Sequence, residues 1–133
     1  MIYALDTNII SYLLKKDARI QRQMAIAIDN EYEFAMLPIV YYEVSRWLLE
    51  RKATRLQEEF NLMCEEMPLA EASKAVWDEA SKLYVHTRHI GRPVGNDADL
   101  FIAAFCIVND YTLVTNNVRH FVNINGLKIV SWK

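Results

Sequence analysis

Short continuous apolar runs alternate along the chain with longer segments whose apolar positions recur every three or four residues. Ile2–Leu5 reads as a strand buried on both faces, and Glu33–Leu37 as a second, stopped by Pro38. Thr112–Thr115 and Lys128–Val130 read as two more. Glu66–Leu69 reads as a short strand, and its Pro68 restricts it to a sheet edge or a strand start. Helical spacing predicts helices over Asn8–Lys16, Ala18–Asp29, Ile39–Arg51, Thr54–Glu65, Ala70–Ile90 and Asn96–Asn109. The segment Gly91-Arg92-Pro93-Val94-Gly95 is a loop holding two of the three glycines. Strands separated by helices predict an α/β fold: a central parallel sheet with helices on both faces. Neither a linker nor an internal repeat divides the chain, so residues 1–133 are read as one domain. In such sheets, ligands bind beyond the carboxyl ends of the strands. Polar residues just after strands are therefore the first candidates for chemistry.

Composition narrows the class. Leu, Ile, Val and Phe make up 40 of the 133 residues, and Gly and Pro only six, which excludes disordered, collagenous and loop-rich scaffolds. The formal charge of −2 gives neither a basic tail for nucleic acid nor an acidic tail. Cys64 and Cys106 lie in apolar helical segments, form no disulfide framework and read as reduced core thiols of a cytoplasmic protein. The opening Met1-Ile2-Tyr3-Ala4-Leu5-Asp6 lacks a cationic leader, and the longest apolar run, Leu100–Val108, is far short of the roughly 20 residues that span a bilayer. No membrane association is expected.

The acidic residues change the picture. Asp6 directly follows the first strand in Leu5-Asp6-Thr7-Asn8, where a helix N-cap would explain it equally well. Glu43 falls at the edge of the apolar stripe Val40, Val44, Trp47 and Leu48. There, a carboxylate needs a partner, and Arg46 three residues on offers only a weak one. Asn96-Asp97-Ala98-Asp99 opens the most apolar helix. Asn96 and Asp99 suit a capping box, which explains one aspartate better than two. At 3.6 residues per turn Asp97 and Asp99 point about 200° apart, so one of them faces a common cleft, and Asp99 is favoured. Val114-Thr115-Asn116-Asn117 ends the fourth strand, as a turn or as polar support for that cleft. The sheet's carboxyl edge would thus gather Asp6, Glu43, Asp99 and Asn117. Two carboxylates about 4 Å apart repel by about 4 kcal/mol at an effective dielectric near 20. A hard cation is the natural reason to assemble them: Mg²⁺ or Mn²⁺ takes oxygen ligands and serves phosphoryl chemistry.

At these residues the chain resembles PIN-domain ribonucleases, more narrowly the VapC-type toxins of toxin–antitoxin pairs. The matching pieces are Leu5-Asp6-Thr7-Asn8-Ile9, Glu43, Gly91–Gly95 running into Asp97-Ala98-Asp99-Leu100-Phe101, and Leu113-Val114-Thr115-Asn116-Asn117-Val118-Arg119-His120-Phe121. Their order and spacing cover essentially the whole chain. The resemblance implies a PIN-like fold and Mg²⁺-dependent endonucleolytic cleavage of RNA, often tRNA. It also implies a homodimer and a cognate VapB-type antitoxin. It assigns Asp6, Glu43 and Asp99 as the catalytic acids, with Asp6 and Asp99 as principal metal ligands, Glu43 binding metal or orienting water, and Asp97 as a further candidate ligand. Asp97 stands where acids are common but not required, and Thr7, Asn8, Thr115 and Asn117 are supporting polar groups. Many relatives carry a further acid near Asn116-Asn117, where this chain has two amides.

Setting aside Asp6, Glu43, Asp97 and Asp99 leaves 13 acids against 15 basic residues. Among the basic residues, Arg92 is the best placed to contact RNA, because its loop leads to Asp99. His86 and His89 lack a third soft ligand for zinc, and Tyr41, Tyr42, Trp47 and Trp77 suit packing better than base stacking. Two other readings compete. An aspartyl-phosphate phosphohydrolase built on Asp6 would want a second acid two residues on, where Asn8 stands. A non-catalytic binding module would use the acids only as caps and show no metal dependence.

Overall fold

The computed structural model describes residues 1–133. Four strands, β1 (Ile2–Leu5), β2 (Glu33–Ala35), β3 (Thr112–Val114) and β4 (Lys128–Val130), form one sheet in the order β2-β1-β3-β4, parallel throughout. Six α-helices connect them: α1 (Thr7–Leu14), α2 (Ala18–Asp29), α3 (Pro38–Glu50), α4 (Thr54–Glu66), α5 (Lys74–His89) and α6 (Asp97–Asn109), with a short 3₁₀ turn at Val118–His120. The chain leaves β1 toward β2 on one side and returns to β3 on the other. The strand order therefore reverses between β1 and β3, and a crevice opens beyond their carboxyl ends. This is the α/β arrangement read from the sequence.

The apolar periodicity is realised as burial. Ala4, Leu5, Leu113 and Val114 are closed off within the sheet, and α6 buries six of its thirteen residues. α5 packs along α6, while α1 packs against α2, α3 and α4. Val40, Val44 and Leu48 form the buried stripe of α3, leaving Glu43 on its flank. Helix starts follow local chemistry. Pro38 occupies the first turn of α3, where no N–H is needed. Asp17 caps α2 by accepting the Ile20 N–H at 3.1 Å, and Asp110 closes α6 in the left-handed conformation at φ 57°.

Two elements differ from expectation. Glu66–Leu69 is not a strand but a single parallel bridge between Met36 and Leu69. The Met36 N–H donates to Pro68 O at 3.1 Å and the Ala70 N–H to Met36 O at 2.8 Å. The second bond commits Ala70 to the bridge, so α5 begins at Lys74 rather than at Ala70. Elsewhere the ends move by one to two residues. No helix is long and apolar enough to cross a membrane.

Candidate active site

Asp6 stands at the point where the strand order reverses. Its N–H extends the ladder onto Val114 O at 2.9 Å, which fixes the residue to the sheet before α1 begins. Its side chain is only 6% exposed. Oδ1 accepts the Thr7 N–H at 2.7 Å, which is the helix cap that the sequence allows. Oδ2 accepts the Thr115 hydroxyl at 2.7 Å and a longer contact from Asn8 Nδ2 at 3.5 Å. Capping thus accounts for one oxygen. The other is held from the end of β3, where the fully buried Thr115 also accepts the Asn117 N–H at 3.0 Å.

Two further carboxylates face Asp6. Glu43 Oε1 accepts the Thr7 hydroxyl at 2.8 Å, so Thr7 ties α1 to α3 through its side chain and holds Asp6 through its backbone. Arg46 lies 3.9 Å from the other Glu43 oxygen, a loose and largely exposed pair of little energetic consequence. Asp99 is delivered by the first turn of α6, where Asn96 accepts the Asp99 N–H at 2.9 Å. The Asp99 Oδ2 receives Asn96 Nδ2 at 3.3 Å and lies 3.3 Å from His120 Nδ1.

The electrostatics reflect this convergence. Burial raises the pKa of Asp6 above its ordinary value, the Thr115 and Thr7 donors pull it back, and the charges of Asp99 and Glu43 push it up again. Burial likewise raises Asp99, His120 and Asn96 offset part of that rise, and Glu43 adds to it. Beneath the site, burial pushes the Cys106 thiol up to about 12, with Asp6 adding a smaller push, so it is an inert core group.

Other predicted residues lie elsewhere. Asp97 is exposed and lines a groove between α5 and α6 with Trp77, Tyr84 and Phe101, away from the acids. Asn117 is exposed and offers Thr115 only its backbone. The neighbouring Asn116 donates its N–H to Asn8 Oδ1 at 3.1 Å and its amide to the Tyr12 hydroxyl at 3.3 Å. Asn8 is therefore a brace between α1 and the end of β3, not an acid–base group two residues from a nucleophile. That arrangement counts against the aspartyl-phosphate reading. His120 was not among the site residues predicted from the sequence. Its link to Asp99 spans 21 residues, and only the adjacency of Arg119-His120 to the polar end of β3 signalled it.

No three His, Cys, Asp or Glu side chains stand close enough to cage a metal ion unaided. The donor set nevertheless fits a hard divalent cation. Its members are carboxylate oxygens; burial and neighbouring acid charge raise the pKa of both Asp6 and Asp99, and Mg²⁺ commonly takes one or two carboxylates and fills its shell with water and substrate phosphate.

Comparisons with known proteins place the chain and its fold. The PIN domain family matches residues 3–127. Ribonuclease VapC2 of Rickettsia felis is 28% identical over 136 aligned residues, spanning 99% of this chain and 98% of its own. Ribonuclease VapC1 of Haemophilus influenzae strain R2866 is 28% identical over 133, with the same coverage. Among solved structures, VapBC2 from R. felis bound to a DNA fragment from its promoter matches with a TM-score of 0.89 at 27% identity over the whole of both chains. VapBC-1 from nontypeable H. influenzae matches at 0.80 and 28%, over 99% of this chain and 98% of that one. With a match over nearly its whole length, the chain belongs to the PIN domain family of RNA-cleaving hydrolases, among the VapC ribonucleases of toxin–antitoxin pairs.

Proposed function

We propose that this ribonuclease toxin is a Mg²⁺-dependent endonuclease, with Mn²⁺ as an effective substitute, and that it cleaves tRNA in the cytoplasm. The single observation behind the reading is the buried Asp6, held between Thr7 and Thr115 at the sheet's switch point and electrostatically coupled to Asp99 and Glu43. Asp6 and Asp99 would hold the cation. When bound, it supplies Lewis acidity, easing deprotonation of water and neutralising charge at the cleaved phosphodiester. Glu43, anchored by the Thr7 hydroxyl and partly open to solvent, orients the attacking water and accepts its proton. Thr115 keeps the Asp6 carboxylate in one orientation, and the Asn96 cap fixes the turn that carries Asp99.

The structural neighbours named VapBC support a VapB-type antitoxin as partner, and the resemblance supports a homodimer. The direct test is cleavage of a purified tRNA pool with Mg²⁺ or EDTA, with Asp6→Asn purified in parallel. Discrete fragments produced only by wild type with metal are expected. Identical patterns from both proteins would sink the site assignment.

A further inference from the structure

Beside Asp99 lies a cleft of about 290 Å³ whose walls are the 92–96 loop and the segment from Arg119 to Asn123. Both walls are anchored. The Arg92 N–H donates to Thr87 O at 2.8 Å, and Thr87 is buried on α5. The opposite wall is pinned by Phe121 and Ile124, both buried. Arg92 Nη1 donates to Asn123 Oδ1 at 3.3 Å, latching one wall to the other.

Arg46 and Arg55 pair with carboxylates, and Arg51 and Arg88 lie over aromatic rings. Arg19, Arg22, Arg92 and Arg119 do neither, and of these Arg92 and Arg119 line one cleft together, beside Asp99. Its one carboxylate, Asp99, is already engaged by His120 and Asn96. The lining contains a single hydrophobic residue and no Phe, Tyr or Trp on which a base could stack. Two guanidinium groups with no carboxylate partner, in a polar cleft without Phe, Tyr or Trp, suit a phosphate diester better than a nucleobase.

We propose that this cleft seats the RNA backbone phosphate adjacent to the one being cleaved, gripped by Arg92 and Arg119, with Asn123 as the positioning residue that aims Arg92. The inference rests on the ribonuclease reading above and specifies how its substrate is registered. Because both walls also carry contacts to Asp99, through Asn96 and His120, a phosphate held here fixes the strand relative to the catalytic acids.

The test pairs binding with kinetics. Binding of a fluorescein-labelled single-stranded RNA oligonucleotide is followed by anisotropy over a salt series for wild type, Arg92→Ala, Arg119→Ala and Arg55→Ala. The last removes an equal charge from an arginine outside the cleft. Each phosphate contact to single-stranded RNA contributes a slope of about −0.7 in log K against log salt. Arg92→Ala and Arg119→Ala are each expected to shallow the slope by about 0.7, and Arg55→Ala to leave it unchanged. In tRNA cleavage, both cleft variants should raise KM about tenfold with kcat nearly retained, and Asn123→Ala should raise KM with the slope intact. Equal slopes and KM in wild type and the cleft variants, while Asp6→Asn still abolishes cleavage, would overturn the subsite and leave the nuclease reading standing. A wild type that neither binds nor cleaves RNA overturns both. Unchanged RNA slopes with loss of antitoxin co-purification would assign the cleft to a protein carboxylate and also overturn the proposal.

Discussion

Replacing Asp6 by Asn is expected to abolish cleavage, to change metal-free stability little at neutral pH, and to cancel stabilisation by divalent cations. Asn can keep an oxygen facing the Thr7 N–H, but its NH₂ then meets the Thr115 hydroxyl, which must give up its donation while still accepting the Asn117 N–H. That costs about 1 kcal/mol, the net worth of one hydrogen bond. The opposing contribution comes from charge. Burial, together with Asp99 and Glu43, raises the folded-state pKa of Asp6 above the ordinary 3.8. Between the ordinary and the raised value, the folded state binds more protons than the unfolded one. Stability is therefore lost as pH climbs through that window, and the deficit persists at neutral pH, at about 1.4 kcal/mol per pH unit of window. Asn has no such deficit, so loss and gain oppose each other. At about 4 °C per kcal/mol for a domain of this size, a drop in Tm beyond about 4 °C in EDTA is not expected. A cation at 100 times its Kd should stabilise wild type by about 2.7 kcal/mol, or about 10 °C, and the variant far less. Thermal unfolding followed by circular dichroism, in EDTA and in Mg²⁺ and at acid and neutral pH, checks each part. The variant's standing relative to wild type should worsen as pH falls through the window from the raised value down to the ordinary 3.8, where folded wild-type Asp6 regains its proton, and should change no further below it. A loss above about 3 kcal/mol in EDTA would show that Asp6 is a structural cap, since such losses mark a broken buried network. Equal cation shifts in both proteins would refute the carboxylate site.

Three other perturbations have definite outcomes. Thr115→Val leaves the Asn117 N–H unpaired and removes the 2.7 Å donor to Asp6, so it should cost about 1–3 kcal/mol and move the acid limb of the cleavage–pH profile upward; Thr115→Ser should restore both, and an unmoved limb would contradict the role. With Cys106 pushed up to about 12, about one thiol in 10⁴ is ionised at pH 8, so iodoacetamide should label it only after denaturation; native labelling at the denatured rate would refute its burial. Trp132 is buried edge-on against Tyr3 with ring centroids 5.9 Å apart, and Trp132→Ala should lower stability by about 3–5 kcal/mol in urea titration; a loss below about 1 kcal/mol would remove the C-terminal segment from the core.

What could be read from the sequence follows from the range of the interactions involved. Ile2–Leu5 and Thr112–Val114 are legible because a strand buried on both faces needs an unbroken apolar run, and α3 because its buried positions recur at helical spacing. The separation of Asp97 from Asp99 is also a local fact, since helical pitch alone sends them to different surfaces. Glu66–Leu69 misled because an apolar run flanking Pro68 looks the same whether its backbone meets a whole strand or one residue, and only Met36 decides. The bracing around Asp6 was illegible for the same reason. Thr7 looks like a first-turn residue until α3 brings Glu43 to its hydroxyl, and Thr115 like the end of a strand until β1 sets Asp6 beside it. Sequence shows where acids fall relative to strand ends; it does not show which hydroxyl restrains which carboxylate, because those partners lie 36 and 109 residues apart. That restraint bears directly on function. A buried carboxylate with no donors would protonate and lose its hold on a cation, whereas Thr7 and Thr115 lower the Asp6 pKa against its burial and so favour the ionised, metal-binding form.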